Sequence, residues 1–137
     1  MSIRRGSSFY LWWRWLGIGL GAAVLIWLSL EENKILPAIL LATGLCSWAA
    51  VNLLRESGTS SRQLIFRSAA VGLLAGLLVS PVAISLIIIK GGLHTHPQPD
   101  FSPDQIQAVF SRMIYFTVSG FLLGLASALF RIASREP

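Results

Sequence analysis

The side chains best suited to chemistry are the two histidines of the chain, His94 and His96, which stand two positions apart in residues 91–101. In an extended segment, side chains two residues apart point to the same face, so both rings could bind one transition metal ion. The same pair could ligate a pigment or haem, with Asp100 as a further metal ligand. A solvated loop is the alternative interpretation. We therefore treat His94 and His96 as a candidate metal or cofactor site, while the sequence requires no cofactor.

The carboxylates are a second group with chemical potential, and the chain has 6 of them. All of them stand in predicted turns or at helix ends. Acid–base chemistry or proton coupling inside a membrane usually needs an ionisable group at depth. The sequence also contains no P-loop, no HExxH motif and no Ser–His–Asp pattern. These observations predict a protein that is not an enzyme, and they disfavour a transporter that couples to protons on its own.

Arg112 is the single charge most suited to a specific contact. It follows Asp104 by about two helical turns, near the predicted outer boundary of the membrane. Glu31 and Glu32 occupy the turn between the first two predicted helices, on the same predicted side. An ion pair between Arg112 and Glu31 or Glu32 would fix the last helix against the first hairpin, and Asp100 is a further possible partner. The alternative places the guanidinium group among lipid phosphates.

Long uncharged runs separate these residues. A helix of about 20 apolar residues crosses the ~30 Å hydrocarbon layer of a bilayer. The chain is 54% hydrophobic and 12% charged, whereas soluble domains are about 25% charged. We therefore predict an all-α polytopic membrane protein, with four transmembrane helices in an antiparallel bundle and one domain over residues 1–137. The predicted spans are about 11–30, 35–54, 64–90 and 109–131, with an outer-side loop at 91–102.

The first run is expected to be a retained span, because no small-x-small cleavage site follows it. Four crossings put most arginines on one side, which is the positive-inside pattern. Both termini are therefore predicted on the cytoplasmic or equivalent side of a bacterial inner membrane or a related organelle membrane. The net charge of +5 is expected to meet anionic membrane lipids rather than nucleic acid. The basic residues of this side are Arg4, Arg5, Arg14, Arg55, Arg62, Arg67, Arg131 and Arg135.

An aromatic and basic cluster opens the first span. Tryptophan rings favour the headgroup level, where the ring is half apolar and its N–H stays hydrated. The cluster is therefore predicted to be an interfacial anchor, and the alternative is a docking surface for a lipid or a partner protein. Its residues are Trp12, Trp13, Arg14 and Trp15.

Small residues recur every four positions in each predicted helix. In lipid, helices associate through close backbone approach, dispersion and hydrogen bonds, and small side chains permit that approach. The stripes are predicted to pack the four helices together, and alternatively one stripe binds another subunit or another copy. The single cysteine is counted among these small residues. The stripes comprise Gly17, Gly21, Ala38, Ala42, Cys46, Ala50, Ser68, Gly72, Gly76, Ser80, Gly120, Gly124 and Ala128.

Local signals predict where helices bend, begin and end. Pro81 removes an N–H in the middle of the third span and predicts a kink there. Lys90 suits the negative end of the same helix, and the adjacent Gly91 and Gly92 are predicted to stop it. Residues 102–105, with a capping Ser, a Pro at the first position and a Gln at the third, predict the start of the last helix. That helix is predicted to continue unbroken to about residue 133.

Three functions agree with this pattern. The first is a non-catalytic accessory subunit or assembly factor of a larger membrane complex, whose partners are membrane lipids and other integral membrane subunits or further copies. The second is a small homo-oligomeric channel or transporter, with a pore near the Pro81 kink lined by Ser80, Ser85, Thr117 and Ser119. The third is a membrane protein that binds a metal or cofactor through its two histidines.

Overall fold

The computed structural model describes residues 6–30, 34–55, 60–93 and 101–134, with the backbone alone for residues 6–10. Nearly all of these residues lie in helices, and none of them lies in a strand, so the all-α prediction is confirmed. Four helical segments are long and apolar enough to cross a membrane, and the last of them is formed by α4 and α5 together. The helices are α1 (Gly6–Ser29), α2 (Ile35–Leu54), α3 (Ser61–Leu93), α4 (Pro103–Ser111) and α5 (Met113–Ala133).

The third helix is the centre of the molecule. Helix α3 packs most extensively against α5 and next against α2, whereas α1 contacts α2 along a few residues. In the most apolar part of each span, 33% of α3 is buried but only 6% of α1. Helix α1 is therefore peripheral, and α3 supplies the surface on which α2 and α5 pack.

Arginine side chains join several helix ends. Arg67 of α3 donates to the carbonyl oxygen of Leu53 at 2.7 Å, and Arg131 of α5 donates to that of Leu54 at 3.3 Å. The start of α3 and the end of α5 therefore lie beside the end of α2. We call this part of the molecule the basic end. Its described arginines are Arg14, Arg55, Arg62, Arg67 and Arg131.

Helix α3 does not stop at its glycine pair, so that prediction was wrong. The helix continues through Gly91 and Gly92 to Leu93. A glycine ends a helix when it adopts the left-handed conformation, and no described glycine has a positive φ. Glycine lowers helix stability by only about 1 kcal/mol relative to alanine, so a pair of glycines permits a helical backbone.

Helix α3 continues through Pro81, and the side chain of Pro81 is exposed. The hydroxyl of Ser85 donates to the carbonyl oxygen of Pro81 at 2.9 Å. The hydroxyl of Ser80 instead donates to the carbonyl oxygen of Val109 at 3.0 Å. This second bond is buried and joins α3 to α4, so Ser80 contributes to packing between helices.

The predicted last helix is two helices that meet at Arg112. Its φ and ψ are −81° and −6°, and its N–H donates to the carbonyl oxygen of Val109 at 3.3 Å. A bond to the third residue back marks a tightened turn. Helices α4 and α5 therefore follow one another with one tight turn between them. The inner face of α4 includes the buried Val109, and it packs against the α3 end opposite the basic end.

The start of α4 is the capping box that the sequence predicts. Ser102 accepts a hydrogen bond from the N–H of Gln105 at 3.3 Å, and its own N–H donates to the Gln105 side chain at 2.8 Å. We expect Ser102→Ala to lower the free energy of unfolding in detergent by about 1 kcal/mol. Ser111→Ala is the control, because Ser111 donates only to Ala108 of its own helix. Equal effects of the two variants would contradict the capping role.

Candidate functional site

At its glycines, the contact between α3 and α5 brings backbone atoms of the two helices together. A Cβ atom placed on Gly72 would lie 2.9 Å from the Cα atom of Gly124 and closer still to the carbonyl oxygen of Gly120. A Cβ atom on Gly120 would lie 3.0 Å from the Cα atom of Gly76. Side chains are therefore excluded at these positions, and the two backbones touch as they do at close contacts of membrane helices.

The facing residues run in opposite order along the two helices. Ser68 faces Gly124, and further along α3, Gly76 faces Phe116. Ser68 is fully buried, and its hydroxyl has no hydrogen-bond partner within the described part of the chain. Ala128, which continues the α5 stripe, is also fully buried. Most of the small residues in the α3 and α5 stripes therefore lie at the contact between these two helices.

Three of the four small residues of α2, namely Ala38, Ala42 and Cys46, lie within the main apolar cluster of the protein. Ala38 and Ala42 are fully buried, Cys46 is buried and Ala50 is half-buried. The cluster also includes Val79 and other residues of α3. The structure thus places this stripe at an internal contact.

The two small residues of the α1 stripe, Gly17 and Gly21, have different surroundings. A Cβ atom on Gly17 would lie 2.7 Å from the Trp48 ring, whereas a Cβ atom on Gly21 would have nothing within 4 Å. A role for Gly21 in packing the described helices together is therefore not supported. The reason is the contact spacing, since the less exposed residues of α1 are 13, 17, 20, 23, 24, 27 and 28, a set that recurs every three or four residues and leaves position 21 on the exposed side. Gly44, which the sequence analysis missed, receives the side chain of Leu20.

The tryptophans of the first span have two different environments. Trp12 and Trp15 are 73% and 66% exposed. Trp13 instead donates its indole N–H to the Asn52 side chain at 2.9 Å, and its own carbonyl accepts from the Trp48 indole at 3.2 Å. Trp13 thus joins α1 to α2, and the anchoring of the cluster in a membrane interface stays a prediction.

An open groove of about 580 Å³ lies beside these tryptophans. Its charged lining residues are all arginines, and they come from α1, from the end of α2 and from α3. We call it the arginine groove. It is lined by Trp13, Arg14, Trp48, Ala49, Asn52, Leu53, Arg55 and Arg67.

Two arginines satisfy carbonyl groups at the end of α2. The last carbonyls of a helix lack partners within that helix and carry partial negative charge. Arg67 donates to Leu53 and Arg131 donates to Leu54, so α3 and α5 each supply a cation to this end. Charge-based sequence analysis placed these arginines on one side of the membrane, but it did not identify these partners.

The other end of the molecule contains a buried lysine. Lys90 is 1% exposed, and its Nζ atom donates to the carbonyl oxygen of Trp27 at 3.1 Å. The same atom lies 4.3 Å from the centre of the Trp27 ring, within the range of a cation–π interaction. The Trp27 N–H is buried without a partner among the described residues. Sequence analysis treated Lys90 as a helix-terminal charge and missed its burial, because only the position of α1 creates it.

Several candidate residues lie outside the described residues, namely His94, His96, Glu31 and Glu32. The histidine site and the ion pair to Arg112 therefore stay predictions. Arg112 itself is exposed at the junction of α4 and α5. Among the described residues, no three His, Cys, Asp or Glu side chains are grouped as metal ligands would be.

The hydroxyls of the hypothetical pore donate to backbone carbonyls, apart from that of Ser119. Thr117 donates to Met113 of its own helix at 2.8 Å, and the bonds of Ser80 and Ser85 are given above. Ser119 lines an apolar cavity of about 240 Å³ between α2, α3 and α5.

Comparison of the chain with protein-family models, with curated proteins and with solved structures finds no match. The function is therefore inferred from the surfaces described above. Two of them bear most directly on binding: the arginine groove and the exposed side of α1.

Proposed function

We propose that the protein is a non-catalytic accessory subunit or assembly factor of a larger membrane complex, and that α1 docks on a partner subunit. The observation that carries the proposal is the exposed side of α1, which has small residues between large ones. We call it the α1 outer face. It consists of Ile18, Gly19, Gly21, Ala22 and Leu25, all of which are exposed.

The shape of the α1 outer face suits a partner helix. A Cβ atom on Gly19 or on Gly21 would have nothing within 4 Å, whereas each glycine of the α3–α5 contact is covered. Ile18 and Leu25 stand about one helical turn before and after Gly21, and they would pack against the flanks of an incoming helix. Close backbone approach at small residues is how membrane helices associate, so this face can accept a further helix without rearrangement.

The membrane arrangement belongs to the same proposal. We place four spans in an antiparallel bundle, with both termini on the cytoplasmic side of a bacterial inner membrane or a related organelle membrane. Four apolar helices support an integral membrane protein. The gathering of arginines at the basic end supports this orientation through the positive-inside pattern.

The other two functions stay predictions. A pore near Pro81 would need polar groups facing its lumen, and the hydroxyls of Ser80, Ser85 and Thr117 donate to backbone carbonyls, so their oxygens could act there only as acceptors. The histidine site lies outside the described residues. Neither alternative has a structural observation that favours it.

The test is co-purification of the tagged protein in a mild detergent. We expect the wild type to co-purify with unrelated membrane subunits at a fixed ratio. Ala22→Trp, in the middle of the α1 outer face, should reduce that recovery by about tenfold, the equivalent of ~1.4 kcal/mol in binding. Leu122→Trp is the matched control, because Leu122 is an exposed apolar residue of α5. The control should co-purify normally, and both variants should unfold at the wild-type temperature.

Other outcomes would contradict the proposal. A clean homo-oligomer without other subunits would favour the channel. Equal loss of partners in Ala22→Trp and Leu122→Trp would remove the role of the α1 outer face. Bound metal that disappears when His94 and His96 are both replaced by alanine would favour the third function.

A further inference from the structure

The arginine groove continues into an apolar furrow between α2 and α3. The furrow has a volume of about 420 Å³, and it shares the lining residues Ala49 and Leu53 with the groove. Along α2 it extends from Leu53 to Leu45, and along α3 from Val71 to Val82. At 1.5 Å per residue, the α2 side is about 12 Å long. The arginine groove at the end of α2 is therefore joined to the apolar furrow, which runs toward the middle of α2 and α3.

We propose that the groove and the furrow together bind one anionic phospholipid. The phosphate group lies in the arginine groove, among Arg14, Arg55 and Arg67, and one acyl chain lies in the furrow. This inference is independent of the proposed accessory role, because it uses α2, α3 and the start of α1 but no residue of the α1 outer face.

The guanidinium groups supply the headgroup chemistry. A guanidinium group has five N–H donors in a planar fork that matches the oxygens of a phosphate. Arg67 spends a donor on the carbonyl oxygen of Leu53 at 2.7 Å, and this bond fixes the position of the group. Arg14 and Arg55 line the same groove from α1 and from the C-cap of α2. The three arginines that line the cleft favour a ligand with a net negative charge over a zwitterion.

The aromatic walls of the groove are held in place before any ligand arrives. Three hydrogen bonds form a ring, from Trp13 to Asn52 at 2.9 Å, from Asn52 to the carbonyl of Trp48 at 3.0 Å, and from Trp48 to the carbonyl of Trp13 at 3.2 Å. Both indole N–H groups donate within this ring. The indoles therefore line the groove without donating to the anion, which binds to the arginines. A preorganised wall loses little entropy on binding.

The furrow distinguishes a lipid from a free phosphate ion. Its lining side chains are apolar apart from the small thiol of Cys46, so an inorganic anion would leave it unfilled. The helices that form it are of membrane-spanning length and hydropathy. An acyl chain covers the apolar surface and places its own phosphate at the level of the groove. The joined geometry therefore points to a lipid.

The test is titration of the delipidated full-length protein in detergent with phosphatidylglycerol or phosphatidylcholine of identical acyl chains, with bound lipid counted by native mass spectrometry. We expect one phosphatidylglycerol to bind at least about fivefold more tightly than phosphatidylcholine. Arg14→Gln should weaken phosphatidylglycerol binding about fivefold, and it should weaken phosphatidylcholine binding less, because the choline cation already offsets the charge of the phosphate in that lipid. Ala49→Leu, which fills the junction of groove and furrow, should weaken both lipids. Arg62→Gln is the matched control, because Arg62 is exposed nearby but does not line the groove, and it should change neither affinity.

Thermal unfolding in the same detergent checks the fold of each variant, and Arg55→Gln replaces Arg14→Gln if the latter unfolds. Equal binding of the two lipids would overturn the proposal. So would equal effects of Arg14→Gln and Arg62→Gln, which would indicate diffuse surface charge. Displacement of phosphatidylglycerol by an equal concentration of inorganic phosphate would show a phosphate site in place of a lipid site.

Discussion

Replacing Gly120 with alanine is expected to lower the free energy of unfolding by about 3 kcal/mol, the upper part of the usual range for an overpacked core. The new Cβ atom would overlap the carbonyl oxygen of Gly72 and lie 3.0 Å from the Cα atom of Gly76. These are backbone atoms, so no side chain can rotate away. Relief requires α3 and α5 to separate along their whole contact. Reversible unfolding in mixed detergent micelles measures the change.

Gly19→Ala is the matched control for this prediction. It adds the same methyl group to a membrane-spanning helix, but nothing lies within 4 Å of it. Stability should stay the same or rise by up to about 1 kcal/mol, which is the helix-propensity difference between glycine and alanine. A loss equal to that of Gly120→Ala would mean that a general property of glycine, rather than the α3–α5 contact, sets the effect.

Combining Asn52→Leu with Lys90→Met should release α1 from the other helices. Asn52 accepts from Trp13 at the basic end, and Lys90 donates to Trp27 at the other end. A neutral hydrogen bond contributes about 1 kcal/mol, and one from a charged group about 1.5–3 kcal/mol. Loss of about 3 kcal/mol would make α1 backbone amides exchange with solvent about 100-fold faster. Hydrogen-exchange mass spectrometry in detergent would measure this for each helix.

The expected pattern is confined to α1, because α3 and α5 keep their direct backbone contact. Thr43→Val is the control, since Thr43 donates only to Ile39 of its own helix, and it should leave exchange in α1 unchanged. Faster exchange in α3 to the same extent would show that the double variant unfolds the whole protein. Unchanged exchange in α1 would show that the two contacts do not hold this helix.

The peripheral position of α1 also bears on the proposed function, because its outer face can meet a partner without disturbing the contacts among α2, α3 and α5. The two tests are separable, because Ala22→Trp changes the α1 outer face and the double variant changes contacts inside the molecule. A partner lost only in the first case would assign docking to that face directly.

Those features of the fold that depend on nearby residues could be predicted from the sequence. Each long uncharged run forms a helix because a membrane offers no water to satisfy backbone N–H and C=O groups. The capping box at Ser102 and Gln105 is also local, because its two hydrogen bonds lie within four residues. The prediction that the glycine pair at 91–92 ends α3 was wrong. A glycine stops a helix only when its backbone adopts the left-handed conformation, and these two glycines do not adopt it.

Only the tertiary structure determined which face of each helix packs against its neighbours. Gly21 and Gly120 occupy similar patterns in the sequence, yet only Gly120 touches another backbone, because the rotation of a helix depends on all its neighbours at once. The burial of Lys90 against Trp27 likewise requires helices far apart in sequence to end side by side. Hydropathy and spacing therefore determined that this chain forms long apolar helices with their charges at the ends. Only the packed structure determined which small residues, arginines and tryptophans meet, because those contacts arise from the relative positions of whole helices.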